Sequence, residues 1–266
     1  MITILSALIF AIVASLAVTL ALLFALRQPV QSAQPDHEAQ RRMHTGAIPS
    51  FGGLIIWATV LPLALVVLSL PASLNALLLA VTLAVGISSL DDAIGLPARW
   101  RLPIHFAIAA LAISAISLAA QSGFLIAQQV FSGLLPPLVV LPLLLVALVW
   151  FINLFNFMDG IDGFAGVEAI SILLGYALLC ALDPASANAA TRPFIGLALT
   201  LTGALFGFLF WNWHPARVFL GDAGAIPLGV FCGALLIDLA LRQSIAAALI
   251  LPMYFLADAT VTLLRR

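Results

Sequence analysis

Leu138-Val-Val-Leu-Pro142-Leu-Leu-Leu-Val-Ala-Leu-Val-Trp150-Phe-Ile-Asn153-Leu-Phe-Asn156-Phe-Met-Asp159-Gly-Ile-Asp162-Gly163 opens as an uncharged apolar run and closes on two amides, two carboxylates and two glycines. The run from Leu138 to Phe155 approaches the roughly 20 apolar residues that a helix needs to cross a bilayer core. A soluble domain has little use for such a segment with its polar groups gathered at one end. The reading that follows is of a membrane helix whose end carries chemistry.

The pattern repeats along the chain. Of its 266 residues, 64% are hydrophobic and only 8% are charged, far from the balance of a globular protein. Nine long apolar runs stand out: Ile2 to Leu26, Phe51 to Leu70, Leu74 to Leu90, Ile104 to Ala120, Leu138 to Phe155, Phe164 to Ala181, Phe194 to Trp211, Ala225 to Leu241 and Ile245 to Leu264. They predict an all-α, polytopic transmembrane bundle of about nine spanning helices. The first run is too long for a signal-peptide core and no basic residue precedes it, so it reads as a retained helix that enters from outside. Alternation then places Arg27, Arg41, Arg42, Arg99, Arg101, Arg217, Arg265 and Arg266 on the cytoplasmic side, with the C-terminus, and only Arg192 and Arg242 outside. That distribution follows the positive-inside rule. Net charge of -1 and the lack of a basic tract argue against nucleic-acid binding. Cys180 and Cys232 lie in or at the ends of apolar runs without spaced partners, and are expected as buried free thiols.

Most carboxylates fall on the arginine-rich side, in four segments. The first loop holds Asp36, Glu38, Arg41, Arg42 and His44, then runs through Pro49-Ser-Phe-Gly52-Gly53 into the second helix. Asp91 and Asp92 close the third helix; neighbouring carboxylates repel, which suits a base or a shared cation, although a pair of solvated charges that stops a helix reads the same way. Asn153, Asn156, Asp159 and Asp162 recur every third residue, a spacing that keeps side chains broadly on one helix face. Gly160 and Gly163 then allow backbone to approach a ligand. Helix capping accounts for one or two of these four residues but not for all of them with both glycines. Their hard oxygens suit Mg²⁺, which takes one or two protein carboxylates and completes its shell with phosphate. Phe219-Leu-Gly221-Asp222-Ala-Gly224 feeds the start of the eighth helix, where N–H groups favour an anion and Asp222 is placed to hold a metal bridging a diphosphate; an N-cap aspartate is the plainer alternative. His44 reads equally as a phosphate contact or a solvated interfacial histidine. Glu168 and the intramembrane Asp258 are either functional or satisfied by hydrogen bonds. The five tryptophans mostly fit an interfacial aromatic belt.

Three of these segments, Asp91-Asp92-Ala-Ile-Gly-Leu, Asn153-Leu-Phe-Asn156-Phe-Met-Asp159-Gly-Ile-Asp162-Gly and His214-Pro-Ala-Arg-Val-Phe219-Leu-Gly-Asp222-Ala-Gly, occur in the order and spacing of the bacterial polyprenyl-phosphate N-acetylhexosamine-1-phosphate transferases. The resemblance covers nearly the whole chain. The stretch from Asn156 to Ala169 is most similar to the branch that starts O-antigen and related polysaccharides, including N-acetylfucosamine-type enzymes. It implies a Mg²⁺-dependent reaction, with Mn²⁺ as the alternative ion, between undecaprenyl phosphate and a UDP-N-acetylamino sugar on the cytoplasmic face of the bacterial inner membrane. By the same resemblance, Asn156 and Asp222 match metal-binding positions, Asp162 and Phe219 match uracil-recognition positions, and Asp91 and Asp92 match a pair acting on the lipid phosphate or the metal shell. Asp159 matches an essential position, as does His44. The expected site therefore has Asp91, Asp92 and Asp159 in catalysis, Asn153, Asp162, Phe219 and His44 on substrate, and Asn156 and Asp222 on metal. A homodimer is compatible with this reading. Residues 1–266 read as one transferase domain lacking the His-containing loop and last segment that follow the final helix in the family. A carrier of a polyprenyl-linked or anionic substrate, or a truncated inactive homologue, is the competing expectation.

Overall fold

The computed structural model describes residues 4–27, 48–67, 70–119, 136–183 and 191–265. These form ten helices and, among the described residues, no strand: α1 (Ile4–Arg27), α2 (Gly52–Val67), α3 (Ala72–Ile94), α4 (Ala98–Ala119), α5 (Pro137–Met158), α6 (Phe164–Leu182), α7 (Arg192–Asn212), α8 (Asp222–Arg242), α9 (Ile245–Ile250) and α10 (Met253–Leu264). Seven of them, α1 and α3 to α8, are long and apolar enough to cross a membrane.

Among the described residues, two of the nine expected runs do not form such a helix. The second run gives a helix of 16 described residues, with Pro62 inside it, shorter than the other candidates. The ninth run is broken, α9 ending at Ile250 and α10 beginning at Met253. Pro252 lies in the break; it has no N–H to donate, and in a continuous helix its ring would meet the carbonyl one turn earlier. Hydropathy cannot register this, because proline and its neighbours leave the run apolar.

Helix α8 is the axis of the bundle. Of its spanning window 89% is buried, against 22% for the peripheral α1, and it packs against α2, α3, α4, α5 and α6. Small residues make this possible: a Cβ at Gly229 would lie 2.9 Å from Ile152 Cα on α5, and one at Gly233 would collide with the Leu148 side chain. Between apolar helices in lipid no hydrophobic gain drives association, so close backbone approach supplies the contact. The same logic joins α1 to α7, where Gly203 and Gly207 receive the backbone of Ala11 and Ser15.

The eighth apolar run hides one charge. Asp238, fully buried, accepts the Tyr176 hydroxyl of α6 at 2.7 Å and both its oxygens lie 2.8 Å from Arg242 Nε, one turn further along α8. Gln243 adds a bond from Nε2 to the Leu179 carbonyl at 2.8 Å. These contacts bind α6 to α8 at the end remote from Asp222. Glu168 is also buried, one turn into α6. Its carboxylate accepts the Phe255 N–H in the first turn of α10, and Phe164 packs its ring on Tyr254 and Phe255. Glu168 thus serves as the cap that Pro252, in the N-cap position, lacks the side chain to be. Asp258 lies on an exposed face of α10. Cys180 and Cys232 are buried free thiols, as expected.

Candidate active site

The polar groups converge on the first turn of α8. Gly221 precedes it with φ +72°, a left-handed conformation that glycine adopts without strain, and a Cβ there would also strike the Ser50 carbonyl. The turn is clasped by the far end of the sequence: Phe219 N–H donates to Pro49 O at 2.8 Å, Gly52 N–H to Phe219 O at 3.0 Å and Gly53 N–H to Leu220 O at 2.8 Å. Gly53 and Gly224 then touch through their Cα atoms. Replacing Gly53 with alanine should therefore lower stability by roughly 1–3 kcal/mol through overpacking, read as a fall in the thermal midpoint in detergent micelles.

Two carboxylates from other helices meet the freed amides of this turn. Asp159, which caps α5, accepts Gly221 N–H at 2.9 Å, and Asp92 of α3 accepts Ala223 N–H. Asp222, the first residue of α8, lies close enough to both to raise the cost of ionising them. Desolvation by the surrounding protein pushes the Asp159 carboxyl well above the usual carboxylate range, and Asp222 pushes it further, against the pull of the Gly221 and Leu220 amides. The positive end of the α8 dipole favours this gathering of negative charge only in part. Asp92, Asp159 and Asp222 are thus within electrostatic reach of one another. Among the described residues no group of three or more His, Cys, Asp or Glu side chains is placed to hold a metal ion by itself. The donor set instead fits a hard cation that shares its shell with phosphate oxygens.

Asp91 and Asp92 face different ways. Asp91 is buried; one oxygen accepts Leu96 N–H at 2.6 Å, beyond the left-handed Gly95 that ends α3, and the other pairs with Arg101 Nε at 2.8 Å. It fastens the α3–α4 corner. Asp92 reaches α8. Asn substitution should separate the two: at Asp91 thermal stability falls by about 1–3 kcal/mol, whereas at Asp92, exposed and outside the α3–α4 corner, the midpoint changes little. Unfolding midpoints of the two purified variants check this.

Asp162 takes the nearby loop. One of its oxygens accepts Ala216 N–H at 3.1 Å and lies 2.9 Å from His214 Nδ1. Gly163, at φ +72°, donates to Asn212 Oδ1 at 2.9 Å, and Asn212 Nδ2 donates to Val218 O at 2.8 Å, so the turn after α5 is tied to the end of α7. Phe219, half-buried, follows immediately.

The structure thus unites Asp92, Asp159 and Asp222 around one helix end, with Asp162 and Phe219 on the adjoining turns. Asn156 is half-buried on the last turn of α5, its carbonyl 3.4 Å from Asp159 N. Asn153 departs from the others: three-residue steps fall short of a full turn of about 3.6 residues, so the series drifts round the helix. It lies on the exposed face with Trp150 and Phe157, donating to Val149 O at 2.7 Å and bonding the buried His105 of α4. His44 lies outside the described residues. His105 and the Pro49–Gly53 clasp went unread in the sequence. The signal for the clasp was there in the paired glycines of both segments, which mark backbone pressed against backbone.

Fold and site together define a multi-pass helical membrane protein with an acidic centre at a helix end. Residues 74–240, which hold α3 to α8 and every carboxylate of that centre, match the glycosyl transferase family 4 domain; the chain belongs to this family. A phospho-N-acetylmuramoyl-pentapeptide-transferase of Wolbachia sp. subsp. Brugia malayi is 28% identical over 218 residues, 77% of this chain and 64% of that protein. The enzyme of the same name from Helicobacter pylori is 29% identical over 236 residues, 77% of this chain and 62% of its own length. That of Streptococcus thermophilus is 35% identical over 116 residues, 44% of this chain and 32% of its own. The chain thus spans less than two thirds of each of these relatives, 64% of the first at most.

Proposed function

We propose that the protein transfers an N-acetylamino sugar-1-phosphate from a UDP-sugar to undecaprenyl phosphate, releasing UMP, at the cytoplasmic face of the bacterial inner membrane. The reading is carried by the convergence of Asp92, Asp159 and Asp222 on the N-terminus of α8. An oxygen of the lipid phosphate attacks the β-phosphorus of the donor, a new P–O–P bond forms to the lipid, the bond between the α- and β-phosphates breaks, and UMP leaves with the electron pair. Such a reaction needs positioning and charge neutralisation more than a strong nucleophile.

In this reading Asp222 and Asn156 hold Mg²⁺, or Mn²⁺ in its place, and the ion when bound neutralises the diphosphate. Asp92 and Asp159 orient the lipid phosphate and hold protons away from it. Asp91 sets Asp92 by fixing the corner between α3 and α4. Asp162 and Phe219 take the uracil. The carboxylates lie at helix ends, where a lipid headgroup and a soluble nucleotide can meet, and not at the midplane sites on which carriers rely. The positive-inside bias of the arginines supports the cytoplasmic orientation. The motif from Asn156 to Ala169 favours initiation of an O-antigen-like polysaccharide and an N-acetylfucosamine-type donor.

Purified protein supplied with undecaprenyl phosphate, Mg²⁺ and a panel of UDP-N-acetylamino sugars, UDP-N-acetylmuramoyl-pentapeptide among them, tests this. UMP release that needs both lipid and metal is the expected result. Preference for the muramoyl-pentapeptide donor would replace the O-antigen assignment with the reaction named for the relatives, and release from none of the donors by folded protein would overturn the activity.

A further inference from the structure

We infer that His214 is a positioning residue for nucleobase recognition, holding the Asp162 carboxylate in the attitude that accepts a uracil imide N–H. The inference rests on the uracil assignment of Asp162 above and extends it to a residue outside that assignment.

Two donors, Ala216 N–H at 3.1 Å and His214 Nδ1 at 2.9 Å, converge on the same oxygen of Asp162. Two donors on one oxygen restrict how far the carboxylate can turn and so favour one direction for its other oxygen. The two side chains also differ sharply in exposure, 77% for His214 and 10% for Asp162. The imidazole lies over a nearly buried carboxylate, at the boundary a nucleotide would cross.

His214 is not needed to hold the loop. Asn212 bonds Gly163 and Val218, Arg217 N–H donates to Trp211 O at 2.8 Å, and the Arg217 guanidinium lies 5.9 Å from the Trp211 ring centroid. Trp213 packs its ring against Gly163 from the other side of the turn. With that frame intact, the loop does not depend on a pair whose imidazole is largely exposed. Its value lies in direction: a carboxylate oxygen is complementary to the N3–H of uracil, whereas cytosine presents an acceptor at the same position.

His214→Asn keeps a nitrogen donor at the Nδ1 position, while His214→Ala removes it and His214→Gln carries its amide past Asp162. Calorimetric binding of UMP and CMP, with donor KM, lipid KM and kcat, separates them. For Ala and Gln the expected result is a rise of about tenfold in UMP Kd and donor KM, narrower discrimination against CMP, and unchanged lipid KM, kcat and thermal midpoint. Asn should recover most of the loss. UMP affinity within twofold of the parent in both Ala and Gln variants, or an equal loss in Asn and Ala, would overturn the inference and leave the transferase reading standing. A parent protein that binds no uridine nucleotide would overturn both.

Discussion

Asp222→Ala is expected to abolish metal-dependent UMP release, by on the order of a thousandfold or more, in a protein that still folds. The side chain sits on the first residue of α8, half-buried and within electrostatic reach of Asp92 and Asp159, so its removal opens no cavity in the fully buried core. Removal in fact relieves like-charge repulsion, and the thermal midpoint without metal should hold or rise slightly. What is lost is the principal charged ligand of the proposed cation, with the several kcal/mol of charge stabilisation that a metal gives a diphosphate; each 1.4 kcal/mol is about tenfold in rate. The measurements are UMP release against Mg²⁺ concentration and unfolding with and without the ion. A variant that retains ordinary activity and ordinary Mg²⁺ dependence would remove Asp222 from the metal site.

The largest loss of stability should follow Asp238→Ala, about 3–5 kcal/mol. Arg242 is then left with a mostly buried guanidinium whose Nε has lost both acceptor oxygens, and the Tyr176 hydroxyl loses its partner within the helix contact. The Tyr176 hydroxyl is fully buried, and the Arg242 side chain keeps only 14% exposure. Replacing the pair together, Asp238→Leu with Arg242→Met, should restore much of the stability, because it is the stranded charge and not the missing attraction that costs most. Equilibrium unfolding in mixed micelles measures both variants. A loss under 1 kcal/mol for Asp238→Ala would mean that Arg242 finds a second acceptor.

The sequence made parts of this protein plain for definite physical reasons. Bilayer thickness imposes a length on every spanning helix, so the apolar runs predict α1 and α3 to α8 closely, and the ends of α3 and α5 fall next to Asp92 and Asp159 as the motifs required. The polar motifs could be ranked because charge near a helix end in a membrane is costly unless used. Other features have no linear signature. Pro252 divides the last run through hydrogen-bond geometry, to which hydropathy is blind. Asp238 carries no signal in hydropathy, because one charge barely alters the mean of a run as apolar as Ala225 to Leu241. Asn153 shares with Asn156 a spacing only nearly helical, and its bond to His105 depends on where α4 packs. The difference between Asp91 and Asp92 appears only once Arg101 and the α8 N-terminus lie on opposite sides of them.

The clasp between residues 49–53 and 219–221 joins two segments between which a ribosome spends the whole time it takes to make α3 to α7. For most of that time Gly52 and Gly53 have no carbonyls to receive their amides, and Asp92 and Asp159 wait without the helix end they are built to meet. A contact so distant along the chain closes late, after its intervening helices have been threaded into the bilayer. The nascent chain is therefore a bundle before it has a centre, and a product released before α8 would hold α1 to α7 yet none of the geometry that gathers its acids.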